Sequence, residues 1–306
     1  MSEGQSPRVG IGLSAFNDVH YVSESIESLL AQEFKDFELI LSDDNSTDGT
    51  ADVCRKYADQ DPRIRFFRQP RRQGIVNQAN FVFRQTRAPF FAWTTCQHLW
   101  RPDFISRLLP ILENNPTVVC SYPLIPVIDS DGMIISNPTA HAANCWVDTR
   151  ALNVVSRLNI ALWSASGCNP GGGIFRSDAL RQTRLIRPVI APDNLMLFEL
   201  SLIGAIACVH EELLISRKTS PSKHLRDVLE RYKTVFYAED DPMPRYFRMW
   251  LTHWRLFYEH LAAVLRSAHS PRRKPVMLAS TVFGFMARHT KHMIHDGVQA
   301  LGLPRP

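Results

Sequence analysis

Residues 37–50 read FELILSDDNSTDGT, and this stretch decides the fold. Its first five residues, 37–41, form the apolar run of a buried strand, and the run ends abruptly in the polar residues 42–50. Serine, threonine and aspartate directly before residues 51–60 are typical of the start of a helix. The stretch therefore predicts a strand, a polar loop and a helix in immediate succession.

The same alternation continues on both sides of this stretch. We predict further strands at residues 9–14, 64–67 and 90–94, and further helices at residues 21–32 and 76–87. Strands alternating with helices indicate βαβ units with right-handed crossovers, and hence a parallel sheet covered by helices. Because ligands bind such sheets beyond the carboxyl ends of the strands, the polar residues that end each strand are the candidates for function.

Downstream of residue 100 the pattern is weaker. Residues 137–166 show no clear period and are candidates for loops that face a second substrate. From about residue 225 onward the sequence predicts two or three helices rich in Arg, Trp, Tyr and Phe. The remaining predicted elements are a helix at residues 103–114, a strand at 118–127, a turn at 129–132 and a helix at 195–202.

The composition is that of a soluble globular protein and argues against a disordered or fibrous chain, since 45% of the 306 residues are hydrophobic and 21% are charged. The formal net charge of +5 is compatible with phosphorylated ligands or anionic lipid, and nothing in the sequence predicts nucleic-acid binding. The six cysteines are isolated from one another, and no signal peptide precedes the first predicted strand. The longest apolar run, residues 275–287, is shorter than the roughly 20 residues of a membrane-spanning helix. We therefore expect a cytoplasmic protein, soluble or membrane-peripheral.

Four segments carry a resemblance to a known family: GLSAFNDVHYVSESIESLLAQEFKDFELILSDDNSTDGT, FFAWTTCQHLWRPDFI, NPGGGIFRSDALRQTRLI and APDNLMLFELSLIGAIACVHEELLISRK. In order and spacing they resemble glycosyltransferase family 2 over residues 8–220. The resemblance implies an α/β GT-A fold, with a Rossmann-like βαβ nucleotide-binding sheet and, in this chain, a helical C-terminal region. It also implies an inverting enzyme that moves a sugar from a nucleotide-diphospho-sugar to an acceptor hydroxyl.

The resemblance also divides the chain. Residues 1–224 are expected to form the GT-A domain, and residues 225–306 the helical C-terminal region. Within the GT-A domain, residues 8–127 correspond to the nucleotide-sugar half and residues 128–224 to the acceptor half.

In this family the ends of the first two strands hold the nucleobase, which places Ser14, Phe16, Asp43 and Asp44 around it here. A carboxylate such as that of Asp44 can accept the imide N–H of uracil or thymine, and Phe16 offers an aromatic surface. A UDP or dTDP donor is therefore expected, and a guanosine donor is also compatible. Residues 46–48 can instead serve to cap the next helix.

The segment RRQGIVNQAN, residues 71–80, resembles the family loop whose glycine lets the backbone approach the nucleotide. Gly74 is expected to have that role, and Arg71 or Arg72 can neutralise phosphate. A turn glycine beside solvent-facing arginines is the alternative interpretation.

At the end of the fourth strand the family usually carries carboxylates that bind Mg²⁺ or Mn²⁺. This chain reads TTCQHLWRPD at residues 94–103, so Gln97 and His98 stand where acids are expected. Three interpretations remain open: His98 binds an ion such as Mn²⁺ together with Gln97 or the donor phosphates, the site works without metal and an imidazolium at His98 stabilises the leaving diphosphate, or catalysis has been lost and a nucleotide-binding scaffold remains. No cofactor is certain. Cys96 is interpreted as a buried, inert thiol.

Inverting transfer needs a general base for the acceptor hydroxyl. The resemblance assigns that role to Asp193 in APDNLMLFEL, with a helix-capping role as the alternative and Glu199 as a second candidate. Gly171, Gly172 and Gly173 permit close approach of a sugar, or form a plain turn. A basic loop after the last strand, with Arg217, Lys218 and His224, resembles the loop that closes over the diphosphate.

The expected partners are a nucleotide-sugar donor and an acceptor that the sequence does not identify: a saccharide, a lipid-linked sugar, a protein or a small natural product. The aromatic residues near Trp250 and Trp254 are interpreted as a packing stripe. The basic amphipathic segment at residues 286–303 can make peripheral membrane contact or bind a partner subunit.

Overall fold

The fold was analysed in a computed structural model that describes residues 6–136, 147–164, 170–218 and 252–300. The first elements in chain order are β1 (Val9–Ala15), α1 (Val22–Leu30), β2 (Phe37–Asp43), α2 (Thr50–Gln60), β3 (Ile64–Arg68), α3 (Ile75–Gln85) and β4 (Phe90–Thr95). They are followed by β5 (His98–Trp100), α4 (Phe104–Asn114), β6 (Val118–Leu124), β7 (Val127–Ile128), β8 (Ile134–Ser136) and α5 (Val154–Ser164). The last described elements are β9 (Ile174–Arg176), α6 (Ser177–Gln182), α7 (Pro192–Ile203), β10 (Ala205–Glu212), β11 (Leu214–Arg217), α8 (Thr252–Arg266) and α9 (Lys274–Ala300).

A seven-stranded sheet forms the centre of the molecule, with strand order β10-β6-β9-β4-β1-β2-β3. The strands run parallel except β9, which pairs antiparallel with both β4 and β6. Strands β1 and β2 are central and covered by helices on both faces, which is why they read as continuous apolar runs. The predicted βαβ order of the first hundred residues is confirmed.

The predicted strand at residues 118–127 is wrong in one respect, because two strands occupy it. Strand β6 belongs to the large sheet, whereas β7 belongs to a second sheet with order β5-β11-β7-β8. Pro126 lies between them and has no backbone N–H to continue a ladder, so the chain changes sheet there. In the second sheet the N–H of Arg217 donates to the carbonyl of Gln97 at 2.8 Å, which ties the chain after β11 to the end of β4.

Two glycines let α3 pack directly on β1. A Cβ at Gly10 would lie 2.5 Å from Oγ1 of Thr86, and a Cβ at Gly12 would lie 2.5 Å from Cγ2 of Val82. Both distances are shorter than any real van der Waals contact, so only glycine fits these two positions. The start of α3 is thereby held close to the carboxyl end of β1.

Helices α8 and α9 confirm the predicted helical C-terminal region and pack on α5 and α7 through a separate apolar cluster. Phe257 and Phe285 lie 5.1 Å apart between ring centroids, and the buried Glu259 pairs with Arg187. Trp250 and the rest of residues 219–251 lie outside the described residues. Among the described helices, none has the length and apolar character required to cross a bilayer.

Candidate functional site

A cleft of about 290 Å³ opens at the carboxyl ends of β1, β2 and β4. This is the edge at which ligands bind parallel α/β sheets. Of the residues predicted from sequence, five line it together, namely Ser14, Phe16, Asp44, Gln97 and Arg72, which was one of two alternatives with Arg71. The other residues that line it are Ala15, Asp18, Ile75, Gln78 and Thr95.

Asp44 is buried at the base of the cleft and is held by three donors. Its Oδ1 accepts the N–H of Gln73 at 2.6 Å and the side-chain amide of Gln78 at 2.7 Å, and its Oδ2 accepts the N–H of Gly74 at 2.9 Å. Ser42 in turn donates to the amide oxygen of Gln78 at 2.5 Å, which fixes the orientation of that amide. A carboxylate offers about four lone-pair sites, so one acceptor position remains, and it is on Oδ2.

Asp43, by contrast, does not line the cleft, and its expected contact with a nucleobase is corrected. Its side chain is fully buried, and Oδ2 accepts the N–H of Ser46 at 3.0 Å and lies 3.7 Å from Nε of Arg68. The residue sits in the last position of β2, where alternation turns its side chain away from that of Asp44. Asp43 shapes the loop that follows β2.

Gly74 has the backbone conformation that its position requires. Its φ is +80°, in the region that favours glycine, and this conformation directs its N–H to Asp44. Gly74 thus acts through the carboxylate, and it contributes no side chain to the cleft.

Phe16 and Arg72 form one wall of the cleft. The Arg72 guanidinium carbon lies 4.2 Å from the centroid of the Phe16 ring, which is a cation–π contact. The buried Nε of Arg72 has no acceptor within hydrogen-bonding distance among the residues that the structure describes. Arg72 is also the only cation in the described lining. Its guanidinium is available to bind an anionic or carbonyl group of a ligand.

Asp18 occupies the far side of the cleft and was not predicted from the sequence. It accepts a hydrogen bond from the side-chain amide of Gln97, and the thiol of Cys96 also bonds to it. Burial is the main cause that raises the pKa of Asp18. Burial also raises the pKa of Cys96 well above its usual value, so this thiol stays protonated, in agreement with its interpretation as inert.

His98 does not supply the positive charge that one of the three interpretations of the sequence required. The ring is not part of the cleft lining, and its Nδ1 lies 3.5 Å from Oγ1 of Thr94. Burial lowers the pKa of His98 to about 4, so the imidazole is neutral at pH 7. The sequence-based expectation of an imidazolium at this position is therefore corrected.

The basic residues after β11 lie beside the cleft without lining it. Arg217 donates to Glu24 at 2.9 Å and packs over the ring of Tyr21, so much of its charge is already compensated. Lys218 is exposed, and its backbone N–H donates to Ile128 at 2.8 Å. His224 lies outside the described residues.

Asp193 lies in the first turn of α7, which leads back into β10. Because β10 runs parallel to β6, the beginning of α7 is at the same sheet edge as the cleft, on the β6 and β10 side. The side chain is accessible to solvent, but protein atoms surround much of its carboxyl group. The resulting desolvation raises the pKa of Asp193. Asp193 does not line the 290 Å³ cleft itself.

Two other candidates have structural contacts. Glu199 is buried, accepts the N–H of Arg184 at 2.8 Å and pairs with Arg266 at 3.2 Å, so it joins α7 to α8. A Cβ at Gly172 would lie 2.7 Å from Cδ1 of Ile125, so the glycine run, residues 171–173, packs against an apolar side chain as a tight turn.

Comparison with known sequences decides the family. The sequence profile described as "Glycosyl transferase family 2" matches residues 11–182, which is more than half of the chain. The chain belongs to glycosyl transferase family 2. Membership supports sugar transfer in general. The matched residues 11–182 include every residue that lines the cleft.

Individual proteins resemble parts or all of this family 2 glycosyltransferase. The chondroitin synthase of Escherichia coli is 30% identical over 131 residues, which are 43% of this chain and 19% of the synthase, so this chain spans less than a fifth of that relative. The crystal structure of TarS residues 1–349 from S. aureus in complex with UDP-GlcNAc has a TM-score of 0.63 at 16% identity, covering 92% of this chain and 74% of the other. A mannosyltransferase from Pyrobaculum calidifontis in complex with GDP-Man and Mn²⁺ has a TM-score of 0.53 at 15% identity, covering 98% and 80%. The structural matches show the GT-A fold.

The residues at the end of β4 in this family 2 glycosyltransferase do not fit a divalent metal. Gln97 directs its amide N–H, a donor, at Asp18, Cys96 is protonated, and His98 is not among the residues that line the cleft. Asp18 is then one carboxylate where hard cations need several oxygen ligands. Within the described ranges no three His, Cys, Asp or Glu side chains are grouped so that they could hold an ion.

Sequence reasoning missed Asp18 and Gln78 and named Arg72 only as an alternative to Arg71, although all three line the cleft of this family 2 glycosyltransferase. Asp18 lies three residues beyond β1, and its partner Gln97 is 79 residues away. Gln78 lies one turn into α3, where a helical polar residue reads as solvent-exposed, although it is buried. Arg72 could not be told from Arg71 by sequence, because both precede the glycine of the same loop.

Proposed function

We propose that this family 2 enzyme transfers a sugar from a UDP-sugar or dTDP-sugar to an acceptor hydroxyl with inversion at the anomeric carbon. The observation that carries the proposal is the cleft at the carboxyl ends of β1 and β2, with a preorganised carboxylate at its base. Preorganised groups bind without the cost of ordering on complex formation.

The acceptor capacity of Asp44 favours uracil or thymine over guanine. Both imide bases present one ring N–H between two carbonyl groups, which matches the single acceptor position on Oδ2. Guanine presents two adjacent donors and would need both carboxylate oxygens, but Oδ1 already accepts two hydrogen bonds. Arg72 lies beside Phe16 to donate to a base carbonyl or to a phosphate.

Asp193 is proposed as the general base. In the transfer step the acceptor oxygen forms a bond to the anomeric carbon, the bond from that carbon to the β-phosphate oxygen breaks, and the acceptor proton moves to the Asp193 carboxylate. A raised pKa suits this role, because a stronger base removes the proton more effectively. The diphosphate leaves with both electrons of the broken bond.

Metal-independent transfer is part of the proposal, since the residues at the end of β4 do not fit a divalent ion. Positive charge for the diphosphate then comes from side chains, with Arg72 in the cleft and Lys218 exposed beside β11. Arg217 is proposed to hold this loop against α1 through Glu24, and to contribute charge only secondarily.

The rival function is a GT-A scaffold that binds nucleotide and has lost transfer, which the missing carboxylates at Gln97 and His98 favour. Calorimetry with UDP, dTDP and GDP, followed by a transfer assay with UDP-sugars and dTDP-sugars, separates the two. We expect UDP or dTDP to bind about 5- to 150-fold more tightly than GDP, since one unpaired donor costs roughly 1–3 kcal/mol. Binding without turnover of any donor would favour the scaffold, and preference for GDP would contradict the assignment of Asp44.

A further inference from the structure

The two C-terminal helices expose a large apolar surface. One side of α8 and α9 is buried in the cluster that contains Leu256, Val264, Met277 and Phe285. On their other sides large apolar residues are exposed, among them Phe283 at 76% and Tyr258 at 66%. We call this set the C-terminal apolar face, and its members are Trp254, Tyr258, Leu265, Val276, Val282 and Phe283.

Helical spacing shows that the face is an ordered feature of each helix. Trp254, Tyr258 and Leu265 follow one another at intervals of four and seven residues, as do Val276 and Phe283 at seven, so each set lies along one side of its helix. The helices are neighbours, because the indole N–H of Trp254 donates to the carbonyl of Met293 at 3.2 Å. Each of the two neighbouring helices therefore carries its own exposed apolar stripe.

The positive charge of the chain is concentrated in the same region. Residues 252–300 contain seven Lys or Arg and two Asp or Glu, an excess of five that equals the formal charge of +5 of the whole chain. The remainder of the sequence is therefore balanced. One of the two acids, Glu259, is buried against Arg187, while Arg272 and Arg273 are exposed in the turn between the helices.

We propose that the C-terminal apolar face docks peripherally on an anionic lipid surface. Aromatic and aliphatic side chains on one side of a helix enter the boundary between headgroups and acyl chains, and nearby cations are attracted to anionic headgroups. Trp and Tyr are the residues that favour this boundary, because each has an apolar ring with one polar atom. The coincidence of an exposed apolar face with all of the net charge selects a lipid surface over a neutral partner.

Co-sedimentation with vesicles tests the proposal on the intact chain. We expect binding to vesicles of mixed phosphatidylcholine and phosphatidylglycerol, weak binding to phosphatidylcholine alone, and release by high salt. The double variant Arg272→Gln, Arg273→Gln should bind anionic vesicles about 25-fold more weakly at low salt, because each cation near such a surface contributes roughly fivefold. Equal binding to both vesicle types would overturn the electrostatic part of the proposal.

A matched pair of apolar variants tests the face itself. Phe283→Glu should weaken vesicle binding at least about tenfold, because it places a like charge at an anionic surface. The control is Ile134→Glu, which changes a residue of similar exposure, 61%, at the β7–β8 hairpin and should leave vesicle binding unchanged. UDP affinity, measured in parallel, reports that both variants are folded.

The vesicle assay and light scattering during size-exclusion chromatography together distinguish the remaining outcomes. If Phe283→Glu binds vesicles like the unchanged protein, or if both variants lose binding equally, the assignment of the face is wrong. If the unchanged chain is a dimer that Phe283→Glu dissociates, and no vesicles bind, the occupant is a second copy and the lipid proposal fails.

Discussion

The end of β2 and the end of β4 lie at the same edge of one sheet but are organised in opposite ways. At the end of β2, Asp44 is buried and accepts three hydrogen bonds from α3 and the loop before it. At the end of β4, Gln97 is paired with Asp18, and His98 is neutral and does not line the cleft. The first region is built to hold a ligand group in one position, whereas the second supplies no charge to a leaving group. Under the proposed function, recognition of the donor and activation of the leaving group therefore depend on different parts of the chain.

Removal of the proposed base should have the largest effect. Asp193→Asn keeps the shape of the side chain but cannot accept a proton, so transfer should fall about 100- to 10,000-fold while UDP affinity stays unchanged. Since the pKa of Asp193 is raised, the transfer rate of the unchanged enzyme should fall on acidification at a higher pH than an ordinary aspartate would give.

Asp178→Asn is the matched control, because Asp178 is also an exposed acid in the first turn of a helix but is paired with Arg181. Initial rates and calorimetry on both variants give the answer. A loss of UDP affinity in Asp193→Asn would contradict the assignment of Asp193 as the base, because it would place this residue in nucleotide binding.

The next largest effect is expected at Asp44. Asp44→Asn replaces one carboxylate oxygen with an NH₂ group, which faces either the N–H of Gly74 or the two donors at Oδ1, so UDP affinity should fall about 10- to 100-fold and the melting temperature should also fall. Asp52→Asn on α2 removes an exposed carboxylate of the same type and should change neither quantity. If UDP binds Asp44→Asn normally in calorimetry, the base of the cleft does not recognise the nucleotide.

The pH dependence of stability tests whether His98 is neutral. Its pKa is about 4 in the folded chain against 6.5 when unperturbed, so the unfolded state binds more protons between these values. The stability associated with neutral His98 is complete above the unperturbed pKa and is lost as the pH falls towards 4.

The unfolding free energy should fall between about pH 7 and pH 5, and this fall should be smaller in His98→Gln by about 1–2 kcal/mol. The figure is discounted because His98 is partly exposed. Urea titrations at the two pH values measure this, with His20→Gln at the exposed surface as the control. His260, whose pKa burial also lowers to about 4, keeps part of the acid sensitivity in every variant. An unchanged slope for His98→Gln would mean that folding does not lower the pKa of His98.

The smallest effect is expected from chelation. EDTA should change the transfer rate by less than about twofold, whereas an enzyme that needs a metal to neutralise the leaving group would lose most of its activity. Re-addition of Mn²⁺ distinguishes simple inhibition by EDTA from metal removal. A rate restored by Mn²⁺ would show that the end of β4 is completed by an ion.

The central strands were predictable because each is buried on both faces. Apart from Glu38, residues 37–43 are apolar or small until the polar end, and the structure places that end at the predicted edge. Strand β9 was not predictable, because three residues cannot show a period and its place between β4 and β6 depends on long-range pairing. A sequence pattern therefore reveals a helix or strand only where the burial of neighbouring residues repeats over enough positions.

The same distinction applies to the cleft. Asp44 and Phe16 were found because they follow strand ends, where side chains converge. Asp18 was missed because its significance comes from a contact with Gln97 that no local pattern contains. His98 shows the opposite error, since its residue type invited a charged role that burial prevents. Sequence located the groups, but their protonation states follow from packing.

Gly10 and Gly12 bear on how losses of activity in this protein should be understood. Neither residue lines the cleft, yet the hydrogen atoms in place of their side chains set the separation between β1 and α3. Gly74 directly precedes α3 and Gln78 lies in it, and both donate to Asp44, so a methyl group at Gly12 would displace two of the three donors at once. In a binding assay, a substitution at Gly12 would look like a defect of the cleft, although Gly12 does not line it. Natural variants at this position would have the same effect as variants of the cleft itself.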